Sequence, residues 1–348
     1  LRRRLLGTAL TRLTIVIVPL GLVLLALRQP PVPVILATVL VLISLQNMVE
    51  SVHGMLFNSL FIRCLPARLR GRFTGTSGIV TQLGVIGLGI TAAAWLAWQP
   101  FPWNYTICFA VAILCMLLSV ITILCLREVP SLQFPETARA QSPLAAAWQV
   151  IHLREFRALL APNLLRGITG GTGYFVFAMG WERLHLSPQH GALLATLTAG
   201  GGLVGMAAIG LLHDRYGAGT VCLIGDWCMA AGLLGTVFSG SPLWFLAFGA
   251  VHAIGGTMEG SGVPLGTYDV SPPERIAAYN GVRLLLLNGS GALSMLGIGY
   301  LLDYLDSPVP VFVAGACVAA LNGFLYWGGF RRARQIRHHT ESAVYRSM

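Results

Sequence analysis

Apolar residues in this chain gather in runs of about 20, long enough to cross roughly 30 Å of hydrocarbon as a helix, and polar residues fill the gaps between them. The runs lie near residues 8–27, 33–61, 74–98, 104–126, 158–180, 189–212, 220–239, 242–266, 276–302 and 308–330. About ten spans follow, which makes the fold class all-α, a polytopic transmembrane helix bundle. Four of the gaps, Gln29-Pro30-Pro31-Val32-Pro33, Gln99-Pro100-Phe101-Pro102, Ser239-Gly240-Ser241-Pro242 and Ser307-Pro308-Val309-Pro310, are proline hairpins without arginine, and all fall on one side.

Composition agrees with the pattern. Of the 348 residues, 10% are charged and 55% hydrophobic, with a mean hydropathy of +0.72, whereas a soluble domain carries about 25% charged residues. Soluble enzymes, nucleic-acid readers and secreted disulfide scaffolds are thereby excluded. All 23 basic residues are arginine. If the start of the chain is cytoplasmic, 19 arginines fall on that side, only Arg28 and Arg183 fall outside, and Arg166 and Arg283 lie within spans. The asymmetry orients both ends toward the cytoplasm and accounts for the +10 net charge as topology, with no polyanionic partner required. The expected location is the inner membrane of a bacterium.

The longest polar stretch, 127–157, is a cytoplasmic linker. It separates a half bundle at 1–126, with four spans, from one at 158–330, with six, and a basic tail occupies 331–348. Within the linker, Ser142 reads as an N-cap before Pro143 at the first helical position, and Trp148, Ile151 and Leu153 give an interfacial helix.

One loop carries a recognisable motif. Between the sixth and seventh spans, on the arginine-rich side, the chain reads Gly210-Leu211-Leu212-His213-Asp214-Arg215-Tyr216-Gly217. The glycines permit a tight turn and close helix packing, while Asp214 and Arg215 can bridge a neighbouring helix end and hold a gate shut. This G-x-x-x-D-R-x-G loop resembles the signature loop of the major facilitator superfamily. The resemblance implies a fold of two pseudo-symmetric halves and secondary active transport of a small solute by alternating access. It also implies that the six spans after the linker form a complete second half. The four before it then correspond to family helices 3–6, with Arg2-Arg3-Arg4 standing where the first signature loop ends, so the chain reads as a member without helices 1 and 2. A short repeat supports the two halves: Pro66 through Phe73-Thr74-Gly75 matches Pro272 through Tyr279-Asn280-Gly281 at an offset of 206 residues.

Ionisable residues inside spans cost about 2.5–3.5 kcal/mol each on insertion scales, so each calls for a function or a partner. Glu50 and His53 lie one turn apart on family helix 4, and His252 and Glu259 lie two turns apart on family helix 10. The resemblance implies that both helices line the central cavity, with Asn163 and Arg166 on family helix 7 and Gln82 on family helix 5. These residues are the candidate substrate and proton pathway, against the alternative of buried structural hydrogen bonds. Arg166 is equally suited to an anionic substrate group. Asp226, Arg283, Asn280 and Asn288 read as structural interhelical bonds. The signature residues Gly210, Asp214, Arg215 and Gly217 are candidate gate residues, and Asp269, Glu274 and Arg275 are candidate gate partners of Arg215.

Neither a cofactor nor a metal is expected, since the seven cysteines lack ligand spacing and no nucleotide-binding loop occurs. The expected partners are a small solute, protons as the candidate coupling ion, and the lipid bilayer, with the protein a monomer. Within the superfamily an efflux antiporter of drugs or metabolites is the alternative, although the helix 4 arginine, the helix 5 proline segment and the sugar-porter loop signatures are missing. A polytopic enzyme or a sensor is a more remote reading, because no catalytic constellation or output domain is present.

Overall fold

The computed structural model describes residues 6–11, positions 41, 45, 49, 52–54 and 56–57, and residues 65–66, 69–98, 103–125, 143–186, 188–272, 275–305 and 307–347. Nine helices longer than one or two turns appear among them, and none of the described residues forms a strand. They are α1 (Arg70–Trp98), α2 (Trp103–Cys125), α3 (Pro143–His152), α4 (Arg154–Leu184), α5 (Pro188–Tyr216), α6 (Ala218–Phe238), α7 (Pro242–Val270), α8 (Ile276–Tyr304) and α9 (Val309–Ser347). Eight of the expected spans therefore have a helix. The two nearest the start, 8–27 and 33–61, lie mostly outside the described residues.

Local chemistry sets the boundaries. Ser241 precedes Pro242, whose missing N–H falls where a helix start leaves donors unpaired in any case. Gly217 adopts φ 79° between α5 and α6, a left-handed conformation that a side chain would strain, and this turns the chain back after the signature loop. At the far end of α6, Arg183 donates to the carbonyls of Val237 and Ser239, placing a cation on the helix C-terminus.

Helices α1, α2, α5, α6, α8 and α9 contain segments long and apolar enough to cross a membrane. Helices α4 and α7, with 31 and 29 residues, are long enough but not in that set. These two carry Asn163, Arg166, His252 and Glu259, so their lower hydropathy comes from faces turned toward protein.

The chain forms two compact units, one of residues 1–65 and 90–136, the other of 66–89 and 137–348. In the first, Ala9, Val120 and Ile123 form a small core with Leu6 and Leu56 packed against it. The second has several cores. Leu159, Cys222, Val263, Tyr326 and Phe330 join α4, α6, α7 and α9, while Leu233, Val237, Phe312 and Ala316 pack α6 on α9. Helix α3 occupies the segment expected to be an interfacial helix: Val150 is buried with Phe156, Tyr279 and Val282, while Trp148 is exposed. A sharp break at Leu153 separates it from α4.

The tail differs from the expectation. Helix α9 does not stop near residue 330 but continues to Ser347, because nothing from Arg331 onward breaks a helix, and the extension has partners described below.

Candidate functional site: a buried ion cluster

Four helices of the second unit bring polar side chains to one buried place. Glu259 on α7, only 3% exposed, pairs through Oε1 with Arg166 Nε on α4 at 3.1 Å. Asp226 on α6 is fully buried. Asn322 on α9 donates from Nδ2 to Asp226 Oδ2 at 3.3 Å and to Glu259 Oε1 at 3.5 Å, so one amide spans both acids. The two carboxyls are also within hydrogen-bonding reach of each other. Beside them, the Tyr326 hydroxyl on α9 donates to Asn163 Oδ1 on α4 at 3.2 Å, and Asn163 Nδ2 donates to the Leu159 carbonyl at 2.7 Å.

Backbone contact makes the arrangement possible. A Cβ on Gly255 of α7 would collide with the Gly225 carbonyl of α6, so glycine is what allows the two helices to cross closely enough for Glu259 to meet Asp226.

Charge balance defines what the cluster can do. Two carboxyls face one guanidinium in a dry interior, where a charge without a partner costs several kcal/mol. Three of its buried atoms, Arg166 Nη1, Asp226 Oδ1 and Asn322 Oδ1, lack a hydrogen-bond partner. A proton between the acids would supply one missing donor and balance the count.

Not all sequence-predicted residues join the cluster. His252 shares α7 with Glu259 but turns to α6, its Nδ1 at 3.2 Å from the Met229 carbonyl. Gln82 packs over Gly202 of α5. His53 lies in the first unit, buried, with Nδ1 at 2.9 Å from Thr8 Oγ1. Glu50 falls outside the described residues. Asp226 makes the interhelical bond that the sequence predicts, to Asn322, while Asn322 and Tyr326 are not among the residues the sequence singles out. Their signal was present, since an asparagine and a tyrosine four residues apart on one face of the last span are polar groups with nowhere in lipid to go.

The signature loop builds a second cluster at the arginine-rich end of the same unit. Asp214 Oδ1 accepts from the Gly71 N–H at the start of α1 at 3.1 Å, so a carboxylate sits on a helix N-terminus, and Arg72 Nε lies 3.5 Å from its Oδ2. The buried His213 places Nδ1 at 3.5 Å from Asp214 and Nε2 at 3.5 Å from Asp269. Asp269 also pairs with Arg70 at 3.5 Å and Arg334 at 3.4 Å. Arg215, expected to pair with Asp269, is exposed and makes no ion pair among the described residues. Arg275 is exposed, and Glu274 lies outside the described residues. Gly210 faces Gly75 of α1 across a backbone contact.

Comparison with known proteins places this architecture. No curated protein matches the sequence significantly. Among solved structures, the fucose:proton symporter FucP of Escherichia coli is similar with a TM-score of 0.68 at 13% identity, covering 94% of this chain and 84% of that one. The proton:xylose symporter XylE gives 0.69 at 13% identity, covering 94% and 79%. A bacterial homologue of the iron transporter ferroportin, in an outward-facing state, gives 0.60 at 14% identity, covering 96% and 82%. The sequence profile described as Major Facilitator Superfamily matches residues 164–344, which hold Arg166, Asp226, Glu259, Asn322 and the signature loop. The chain belongs to the Major Facilitator Superfamily.

Proposed function

We propose that this secondary transporter couples solute movement to protons, and that the coupling site is the Asp226–Glu259 pair with Arg166 and Asn322. The observation that carries the reading is the charge count: two buried acids share one guanidinium and one amide, and Asp226 Oδ1 has no donor. Taking up a proton leaves one ionised acid paired with Arg166, and losing it puts a second buried negative charge on the pair. A change of that size inside a bundle is able to bias one packing over another. The other ionisable groups within electrostatic range of the pair are Cys222, Tyr326 and Arg283. The solved relatives named as proton symporters support protons as the coupling ion.

In this reading transport proceeds by alternating access, with half bundles at 1–126 and 158–330 and a cytoplasmic linker at 127–157. The Asp214–His213–Asp269 cluster closes that side, with Gly210, Gly217, Arg215, Glu274 and Arg275 around it. Glu50, His53, Asn163, His252 and Gln82 are proposed as further lining of the pathway. The protein acts as a monomer in a bacterial inner membrane, both ends cytoplasmic.

The test uses full-length protein in liposomes loaded with a pH-sensitive dye, challenged with sugars, organic acids and amines. The expected result is solute-dependent proton entry that is lost in Asp226→Asn and Glu259→Gln. Solute uptake indifferent to an imposed pH gradient and to Asp226→Asn would overturn the reading.

A further inference from the structure

A second buried arginine has no ion-pair partner among the described residues. Arg283, in the second turn of α8, is 4% exposed. Its Nε and Nη2 both donate to Asn280 Oδ1 of its own helix, at 3.0 and 2.7 Å. No described carboxylate forms an ion pair with it, unlike Arg166, Arg70 and Arg334, which have Glu259 or Asp269. One amide oxygen carries only a partial charge, and a buried guanidinium left with that alone is costly. Asn280 also turns the fork so that Nη1 donates to nothing among the described residues.

Two of the groups around Arg283 are also unsatisfied. Arg166, Tyr268, Tyr326 and Glu259 are within electrostatic range of it. Tyr268 on α7 is 4% exposed and its hydroxyl has no hydrogen-bond partner, and Arg166 Nη1 has none either. Three donors from three helices, Arg283 Nη1, the Tyr268 hydroxyl and Arg166 Nη1, thus make no hydrogen bond to any described residue. That set matches a carboxylate, which offers two oxygens and one negative charge.

We propose that Arg283 and Tyr268 bind the carboxylate of a small monoanionic solute, and that this is the substrate class of the transporter. The inference rests on the proton-coupled reading and deepens it. With one proton on the Asp226–Glu259 pair, the interior of the second unit carries Arg166 and Arg283 against a single ionised acid. One bound monocarboxylate restores neutrality. Proton and anion then load together, one of each, and the cycle moves no net charge. A neutral sugar leaves Arg283 unpaired, and a dianion leaves a charge in excess.

The experiment measures uptake by full-length protein in liposomes of ¹⁴C-labelled lactate, gluconate, benzoate and shikimate. Succinate, fucose, xylose and choline are run in parallel, and protein-free vesicles set the background. Melting temperature is recorded with each solute in detergent. The expected result is uptake and thermal stabilisation by at least one monocarboxylate, driven by an inward proton gradient and unchanged when a potassium diffusion potential is imposed. Arg283→Gln should raise its KM at least tenfold, Arg283→Lys should recover part of that loss, and Tyr268→Phe should raise KM two- to fivefold while the unliganded melting temperature stays near wild type. The proposal is overturned if no monocarboxylate gives uptake or stabilisation. It is also overturned if KM is unchanged in both Arg283→Gln and Tyr268→Phe. The two readings fail separately: carboxylate uptake that needs Arg283 but ignores the pH gradient removes the proton coupling alone, while proton-driven uptake of a neutral solute untouched by Arg283→Gln removes the carboxylate site alone.

Discussion

At Asn322 a single amide nitrogen reaches two acids, and the side chains it joins respond unequally to change. Glu259 is the counter-ion of Arg166, so Glu259→Gln leaves a buried cation unpaired and should destabilise the fold by about 3–5 kcal/mol. Asp226 has no cation within ion-pairing distance among the described residues, and Asp226→Asn should cost only about 1 kcal/mol. Melting curves of the two variants in the same detergent check this, and equal losses would mean that Arg166 has another counter-ion. Asn322→Leu removes the bridge and should cost about 1–3 kcal/mol, since it strips donors from acids that stay buried. Sequence spacing made Glu259 and Arg166 visible as groups that need partners, but not that they are partners of each other. A seven-residue step put His252 and Glu259 on one face of α7 and says nothing about which helix meets that face at each level. At one level the neighbour is the Met229 carbonyl, at the other Arg166 and Asn322.

Helices were more legible than contacts, because apolar run length alone fixes a span. Most described helices start and stop within a few residues of the expected ends, and α7 and α8 begin at the positions read from sequence. The exceptions have physical reasons. Helix α4 starts at Arg154 because the chain resumes helical bonding directly after the Leu153 break. Helix α9 runs to Ser347 because Arg334 and Arg337 on its extension reach back to α7, where Arg334 meets the Asp269 carboxylate and Arg337 donates to the carbonyls of Asp269 and Ser271 at 2.9 and 3.3 Å. Both cations sit on the C-terminus of α7, so Arg337→Ala should cost about 0.3–1 kcal/mol and increase protease cleavage near Ser271. The contact of α1 with α5 gives a sharper asymmetry. A Cβ on Gly75 would lie 2.8 Å from Gly210 Cα, whereas a Cβ on Gly210 would meet Gly75 Cα at 3.6 Å. Gly75→Ala should therefore destabilise by about 1–3 kcal/mol and Gly210→Ala by much less, although Gly210 is the residue that belongs to the signature. Thermal melts that rank the two the other way would contradict this packing.

For the whole molecule, the proposed orientation rests on charge asymmetry. With the arginine-rich end inside, a membrane-impermeant maleimide applied to intact cells should label a cysteine at Ser241 and spare one at Gln335, in a background with the seven native cysteines replaced. Labelling of Gln335→Cys alone would invert the topology. Fold class, family and one signature loop were readable from the chain because lipid imposes strict rules on span length and arginine placement. The ion cluster was not, because it draws residues from four helices separated by up to 163 positions, and no local pattern encodes which of them meet.

Helix α7 carries both clusters, Glu259 in its middle and Asp269 about 15 Å further along its axis, at roughly 1.5 Å per residue. Glu259 is held from α4 and α9, Asp269 from α1, α5 and α9. Pro264 lies between the two, where its missing N–H removes one helical hydrogen bond. The rod that carries both clusters therefore has a joint between them, at which one end can turn while the other keeps its partners.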